Sequence, residues 1–461
     1  MDHAPEPAPA PARATPAASP DDASTAERIS AFASFRERNF AVMWTASLVS
    51  QTGQWLQNVA VPFVVFQLTG SGAWLGFTAF MMLLPMVLLG PMAGSVADRF
   101  DRRRVLAIGA GLQGLLTAGL WLTWAAGVRS VGVLIVLVTA VSCVAGITVA
   151  SWQAFVPSLV PRRLLLNAVT LNSAQFNAAR AFGPALGGLV IATAGPSWAF
   201  FVNAVSFFAI VGGLVLVKVP RIERPPSQGR PRVLAEMWTA MRYVRTQRGI
   251  VASLAVVFAL GLLGGPLFNL VVVFAQEVYD VGDGAYGVLA ACIGIGSILS
   301  APVWAGWGSR QRRGSMVSLA MVGYGAALVA VGAAPVYAVG AAALLVSGAG
   351  YLGISSTLNT TIQMQVTELM RGRVLALYVM SLTLAMPIGS LVQGALIDVI
   401  GPQWTVAGAG VLFLGVFFVL RFATDLFVHM DDVPDHDRVH EGELQLDVAE
   451  SEAVEAAVEG R

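Results

Sequence analysis

FGPALGGLVIATAGPSW at residues 182–198 and IGSLVQGALIDVIGPQW at residues 388–404 are one phrase written twice. At an offset of 206, Gly183, Gly188, Gly195, Pro196 and Trp198 fall on Gly389, Gly394, Gly401, Pro402 and Trp404. Five matches in register, beside matching hydropathy, mark an internal duplication. A similar offset relates the Arg-rich ends of the second and eighth apolar segments. Two six-segment halves related in this way are the architecture of a rocking transporter, with its cavity at the midplane between them.

Outward from the repeat, the apolar runs are long enough to carry that architecture. A membrane helix needs about 20 apolar residues to cross a hydrocarbon core of roughly 30 Å. Twelve segments meet that length, near 40–68, 74–97, 105–126, 131–152, 170–193, 197–217, 250–275, 285–307, 315–333, 336–360, 372–399 and 403–423. A membrane barrel is excluded, because its strands would be about 10 residues long with alternating polarity. Composition agrees: 56% of the 461 residues are hydrophobic and 12% charged, and mean hydropathy is +0.70. Soluble domains carry about twice that charge. A net charge of +1 offers no basic excess for nucleic acid. Two cysteines, Cys143 and Cys292, lie in apolar runs without metal-ligand spacing, so neither a disulfide framework nor a metal centre is expected.

The organisation expected is a disordered arm (1–38), an N-terminal six-helix bundle (39–217), a linker with an amphipathic helix (218–249), a C-terminal six-helix bundle (250–424) and an acidic disordered tail (425–461). In the linker, Leu234, Met237, Met241 and Val244 recur at helical spacing with Arg242, Arg245 and Arg248 interleaved, which suits either the membrane surface or the base of the bundle. Twenty-six of the 28 Lys and Arg residues fall on one side of the twelve segments, Arg129 alone falls on the other, and Arg180 lies within the fifth. The positive-inside rule then puts both termini in the cytoplasm.

GSVADRFDRRRV (94–105) resembles the G-x-x-x-D-R-x-x-R-R signature of the major facilitator superfamily. The resemblance implies an all-α membrane protein of twelve transmembrane helices in two pseudo-symmetric six-helix bundles. It also implies a cytoplasmic gate in which Gly94 permits close helix approach while Asp98, Arg99, Arg102 and Arg103 form a charge-relay latch. A carboxylate there can cap the N-terminus of the eleventh span near Arg371 and Arg373 in one state and release it in the other. In the second half, GWGSRQRRG from Gly306 has lost the aspartate. GPALGG (Gly183, Pro184, Gly187, Gly188) looks like the tail of the motif found in drug:proton antiporters of the superfamily, a bending or sealing point. LTGSGAWLG (68–76), NSAQFNAARAFGPALGG (172–188) and MRGRVLALY (370–378) are similar to the enterobactin-exporter-like subgroup of bacterial efflux proteins.

Arg180 is an ionisable group about 15 Å into its span, where charge is costly and by default functional. Gln51, Gln54 and Asn58 share one side of the first span, with Trp55 beside them, and Asn177 stands one turn before Arg180. With Asn269 and Asn359 from the other half they form the expected substrate cavity, suited to a bulky amphiphile. Glu277 and Asp398, at the outer ends of the seventh and eleventh spans, are the candidates for proton coupling.

The function expected is secondary active export of amphiphilic organic molecules (drug, antibiotic or siderophore) across the bacterial inner membrane, as proton-coupled antiport. An importer, a lipid flippase or a non-transporting receptor on the same fold stays open. An enzyme would need clustered catalytic groups inside the spans, and an ATP-driven pump a phosphate-binding loop; neither is present in the sequence. The expected partners are a small amphiphilic substrate, the bilayer and protons. No cofactor is expected, and the chain is expected to act as a monomer.

Overall fold

The computed structural model describes residue 30 and residues 32–218, 233–308 and 311–432. The fold is all-α, with no strand among the described residues. The first half comprises α1 (Arg38–Thr69), α2 (Gly72–Arg99), α3 (Arg102–Ala125), α4 (Val131–Phe155), α5 (Leu165–Ala194) and α6 (Pro196–Leu216). A short helix, α7 (Val233–Thr246), leads into the second half. There, α8 (Arg248–Ala259) and α9 (Leu267–Val273) are two parts of one span. They are followed by α10 (Asp283–Gly308), α11 (Arg313–Ala333), α12 (Tyr337–Gln365), α13 (Glu368–Ile400) and α14 (Pro402–Phe418). Ten described stretches are long and apolar enough to cross a membrane. With α1 and α5, of 32 and 30 residues, they make up the twelve-span architecture.

The two halves pack alike. In the first, α2 lies on α4, and α3 on α4 and α6; in the second, α10 lies on α12, and α11 on α12 and α14. The repeated phrase explains the match residue by residue. Gly195 and Gly401 turn the α5–α6 and α13–α14 hairpins at φ of +81° and +83°, a region L side chains rarely adopt, and a proline opens the next helix each time.

The seventh span is not the single helix its apolar run suggests. It is interrupted by π-helical turns at Leu260–Gly264 and Phe274–Val278, with Gly265 and Pro266 between α8 and α9. Carbonyls released by such a break need other donors. Gln393 of α13 donates its Nε2 to Leu262 O and Leu263 O, both at 3.0 Å.

Ordered chain extends past both expected ends of the bundles. Within the arm, Ala33–Arg36 forms a 3-10 turn, and fully buried Ser34 donates its hydroxyl to Asn167 Oδ1 of α5 at 2.7 Å. Beyond residue 424, a 3-10 turn at Val428–Asp431 packs under the second half with Phe427 and Met430 buried. The Asp431 carboxylate accepts from the backbone N–H groups of Arg313 (2.6 Å) and Gly314 (3.4 Å) at the start of α11. In the first half Asp101, the residue before α3, caps that helix itself, accepting from Arg104 N–H at 3.0 Å. Arg312 occupies the corresponding position before α11, and the C-terminal segment supplies the missing carboxylate.

Candidate functional site

Two features stand at opposite ends of the spans: a chamber in the arginine-rich half and a set of tight crossings near the arginine-poor end. The chamber, about 300 Å³, is lined with polar groups from Ser47, Ser50, Gln51 and Gln54 of α1, Gln113 of α3 and Thr148 of α4. Met86, Trp152 and Phe207 contribute apolar wall, and no lining residue is ionisable. Gln113 donates to Gly109 O (3.3 Å) and Thr148 to Val144 O and Ala145 O (3.1 Å each), so both engage their own helix backbones. Every lining residue of this chamber belongs to the first bundle.

The crossings join one bundle to the other. A Cβ built on Gly188 of α5 would come within 1.9 Å of Gly287 Cα on α10. The repeat partner Gly394 of α13 crosses α2 in the same manner, its Cβ position 2.3 Å from Gly72 O and 2.9 Å from Gly76 Cα. Only glycines allow backbones this close. The other repeated pair faces inward to its own half: Gly183 lies against Trp55 of α1, and Gly389 against Leu262 O of the broken seventh span. Buried Tyr286 of α10 adds a bond across the halves, donating its hydroxyl to Val59 O of α1 at 3.0 Å.

Asp398 completes this end. Its carboxylate accepts from Ser71 Oγ (2.6 Å), Gly72 N–H (2.6 Å) and Ala73 N–H (3.1 Å), capping α2 from α13. Backbone N–H groups at a helix start lack intrahelical partners and carry partial positive charge, so a carboxylate is held strongly there. The repeat counterpart of Asp398 is Ala192, which faces Gly284 at the start of α10. One crossing is therefore tied by charge and its counterpart is not. Glu277, exposed in the second π turn, lies near enough to Asp398 for the two charges to repel, so the proton-coupling candidates converge.

Of the expected cavity residues, Gln51 and Gln54 line the chamber. Trp55 instead forms the seam with Gly183, and half-buried Asn58 is outside the lining. Arg180 and Asn177 lie in α5, but their side chains fall outside the described residues. Asn269 is half-buried just past the helix break, and Asn359 accepts a hydrogen bond from Gln363 one turn along α12. Gly187 packs against Val59 and Leu56 of α1, while Pro184 sits inside a continuous α5.

The signature loop lies between α2 and α3. A Cβ on Gly94 meets nothing within 4 Å among the described residues. Arg102 Nη1 donates to Ala154 O of α4 at 2.9 Å, and Arg103 Nη2 to Val215 O of α6 at 3.3 Å. Both satisfy carbonyls near helix C-termini inside their own bundle, where a cation is favoured. Asp98 and Arg99 are exposed at the end of α2, and Arg371 and Arg373 are half-buried in the first turns of α13.

Three buried glutamines stand outside the expected cavity set. Buried Gln57 accepts from Asn203 Nδ2 of α6 at 2.7 Å, and Gln393 braces the broken span. Gln175 of α5 is 2% exposed with neither amide atom bonded among the described residues. Only helical register could have flagged them: Gln57 sits on the opposite side of α1 from the Trp55 seam, beside Gly53, which packs on Ser206 of α6.

A family model for transmembrane secretion effectors matches residues 29–458. The enterobactin exporter EntS of Shigella boydii serotype 4 is 26% identical over 386 residues, spanning 83% of this chain and 91% of that protein. Its namesake in Citrobacter koseri is 25% identical over 385 residues with the same shares. A solved bacterial homologue of the human lysosomal transporter Spinster, inward-facing and unoccupied, superposes with a TM-score of 0.68 at 13% identity, covering 87% of this chain and 99% of that one. An inward-facing bacterial homologue of the iron transporter ferroportin gives 0.61 at 18% identity, covering 83% and 98%. These solved structures share the fold.

Proposed function

The chain belongs to the transmembrane secretion effector family and is a membrane efflux transporter, and on that footing we propose that it exports amphiphilic organic molecules across the bacterial inner membrane by proton-coupled alternating access. The observation that carries this reading is the pairing of a chamber in the arginine-rich half with cross-bundle closure near the opposite end. With the arginine-rich end in the cytoplasm, as the positive-inside rule requires, the chamber lies on the loading side.

Its lining suits a molecule that is apolar in bulk and carries neutral hydrogen-bonding groups. Amides and hydroxyls engage those groups, while Trp152, Phe207 and Met86 cover the apolar part. Siderophores and drug-like amphiphiles both meet that description, and the enterobactin exporters among the relatives favour the former. Arg180, deep in α5, supplies fixed positive charge for an anionic portion of the substrate.

Release outward requires the Gly188–Gly287 and Gly394–Gly76 crossings to part and Asp398 to leave the start of α2. Protonation removes the negative charge that holds this cap, which links proton entry from outside to opening; Glu277 is the neighbouring carboxylate that shares the task. The test is a susceptibility and accumulation panel in a pump-depleted host, with and without an uncoupler. Expression should lower accumulation of at least one amphiphile, and the uncoupler should abolish the difference. Accumulation raised by expression would indicate import and overturn the reading.

A further inference from the structure

α7 has two unlike faces. Ala240 and Val244 are 0% and 3% exposed where the helix packs on α13 and α8. Trp238 on the opposite face is 56% exposed and Met241 at that face's edge 37%, beside exposed Arg242 and Arg245. Both guanidinium carbons lie 5.9 Å from the Trp238 ring, so the face presents one aromatic plane flanked by two cations. Exposed Arg248 follows at the start of α8.

The C-terminal segment reaches this neighbourhood. Gln365 Nε2 donates to His429 O (2.7 Å) and Asp432 O (3.4 Å). A Cβ on Gly249, three residues past the end of α7, would stand 2.4 Å from His429 O. From there the sequence continues for 29 residues, 433–461, with nine acids against Arg438 and Arg461. Its stretch ELQLDV (443–448) alternates acidic or amide with aliphatic side chains. At about 3.3 Å per residue the length far exceeds the span of α7, itself about 1.5 Å per residue.

We propose that residues 433–461 dock on the Trp238–Met241–Arg242–Arg245 face of α7. The acids neutralise the arginines, and the aliphatic residues of 443–448 cover Trp238 and Met241. Three independent features favour the tail as occupant: it starts beside α7, it is long enough, and it carries the opposite charge together with apolar groups. The contact gives the acidic tail a role on the arginine-rich face, and it stands whether or not the transported molecule is an amphiphile.

The test uses the full-length protein in nanodiscs containing phosphatidylglycerol, with Met241 replaced by the photo-crosslinker p-benzoylphenylalanine and products mapped by mass spectrometry. Crosslinks are expected within 433–461. Arg242→Gln with Arg245→Gln should lower their yield about five- to tenfold, the scale of two surface ion pairs. Raising salt from about 50 mM to about 500 mM should act in the same direction, and Arg242→Lys with Arg245→Lys should restore the yield. Crosslinking to phosphatidylglycerol in place of the tail, crosslinking only elsewhere in the chain, or a yield indifferent to the glutamine pair would each overturn the proposal.

Discussion

Asp398 shows what a single side chain contributes. Ser71, the local cap of α2, accepts from Trp74 N–H at 3.4 Å and donates its own proton to Asp398, so the helix start is held by a two-step relay ending on the other bundle. Caps and charge–dipole contacts of this kind contribute about 0.5–2 kcal/mol each. Asp398→Asn keeps the shape and removes the charge. It should open the crossing enough to raise labelling of an Ala73→Cys variant by a membrane-impermeant maleimide about tenfold, corresponding to ~1.4 kcal/mol; an unchanged rate would contradict the cap. Arg180→Ala should abolish export at unaltered membrane abundance, and wild-type efflux from that variant would remove Arg180 from the transport path. Sequence singles out Asp398 as an acid near the end of an apolar run. Its partners, more than 320 residues earlier in the chain, become visible only once α2 and α13 cross.

At the scale of elements, the twelve apolar lengths are legible because a bilayer imposes them. The departures are all long-range. The broken seventh span depends on Gln393 from α13, and the start of α11 depends on Asp431 from beyond the last span. Neither contact leaves a local periodic signal. Gln393→Leu should strip Leu262 O and Leu263 O of their donor, costing about 1–3 kcal/mol for each carbonyl left unsatisfied; the readout is a lower melting temperature in detergent, and an unchanged one would show that other donors serve the break. Gly188→Val tests the crossing. Its side chain meets the Gly287 backbone, which cannot give way, so the two helices must separate. Transport should be lost with abundance intact, and labelling at the arginine-poor end should increase. Gly408→Val is the control, since a Cβ there meets nothing within 4 Å among the described residues.

For the whole molecule, the offset of 206 carried the architecture: each repeated glycine has a structural counterpart in the other half. Where the halves differ, at Asp398 against its repeat counterpart Ala192 and at Arg312 against Asp101, the residues before α11 and α3, they are tied differently. The chamber was half legible. Gln51 and Gln54 announced it, but Gln113, Thr148 and Trp152 come from helices whose facing sides depend on packing rather than on sequence spacing. The net charge of +1 conceals a division: the segment 39–424 carries +13, the arm −2 and the tail −10. Under the positive-inside rule the basic end of the spans faces the cytoplasm, and the direction we propose is transport away from it. Transport of a labelled amphiphile into energised membrane vesicles of both orientations tests it most directly. Vesicles with the arginine-rich face outward should accumulate the label, those with it inward should not, and Gly188→Val should abolish the difference; accumulation only in the opposite orientation would contradict export.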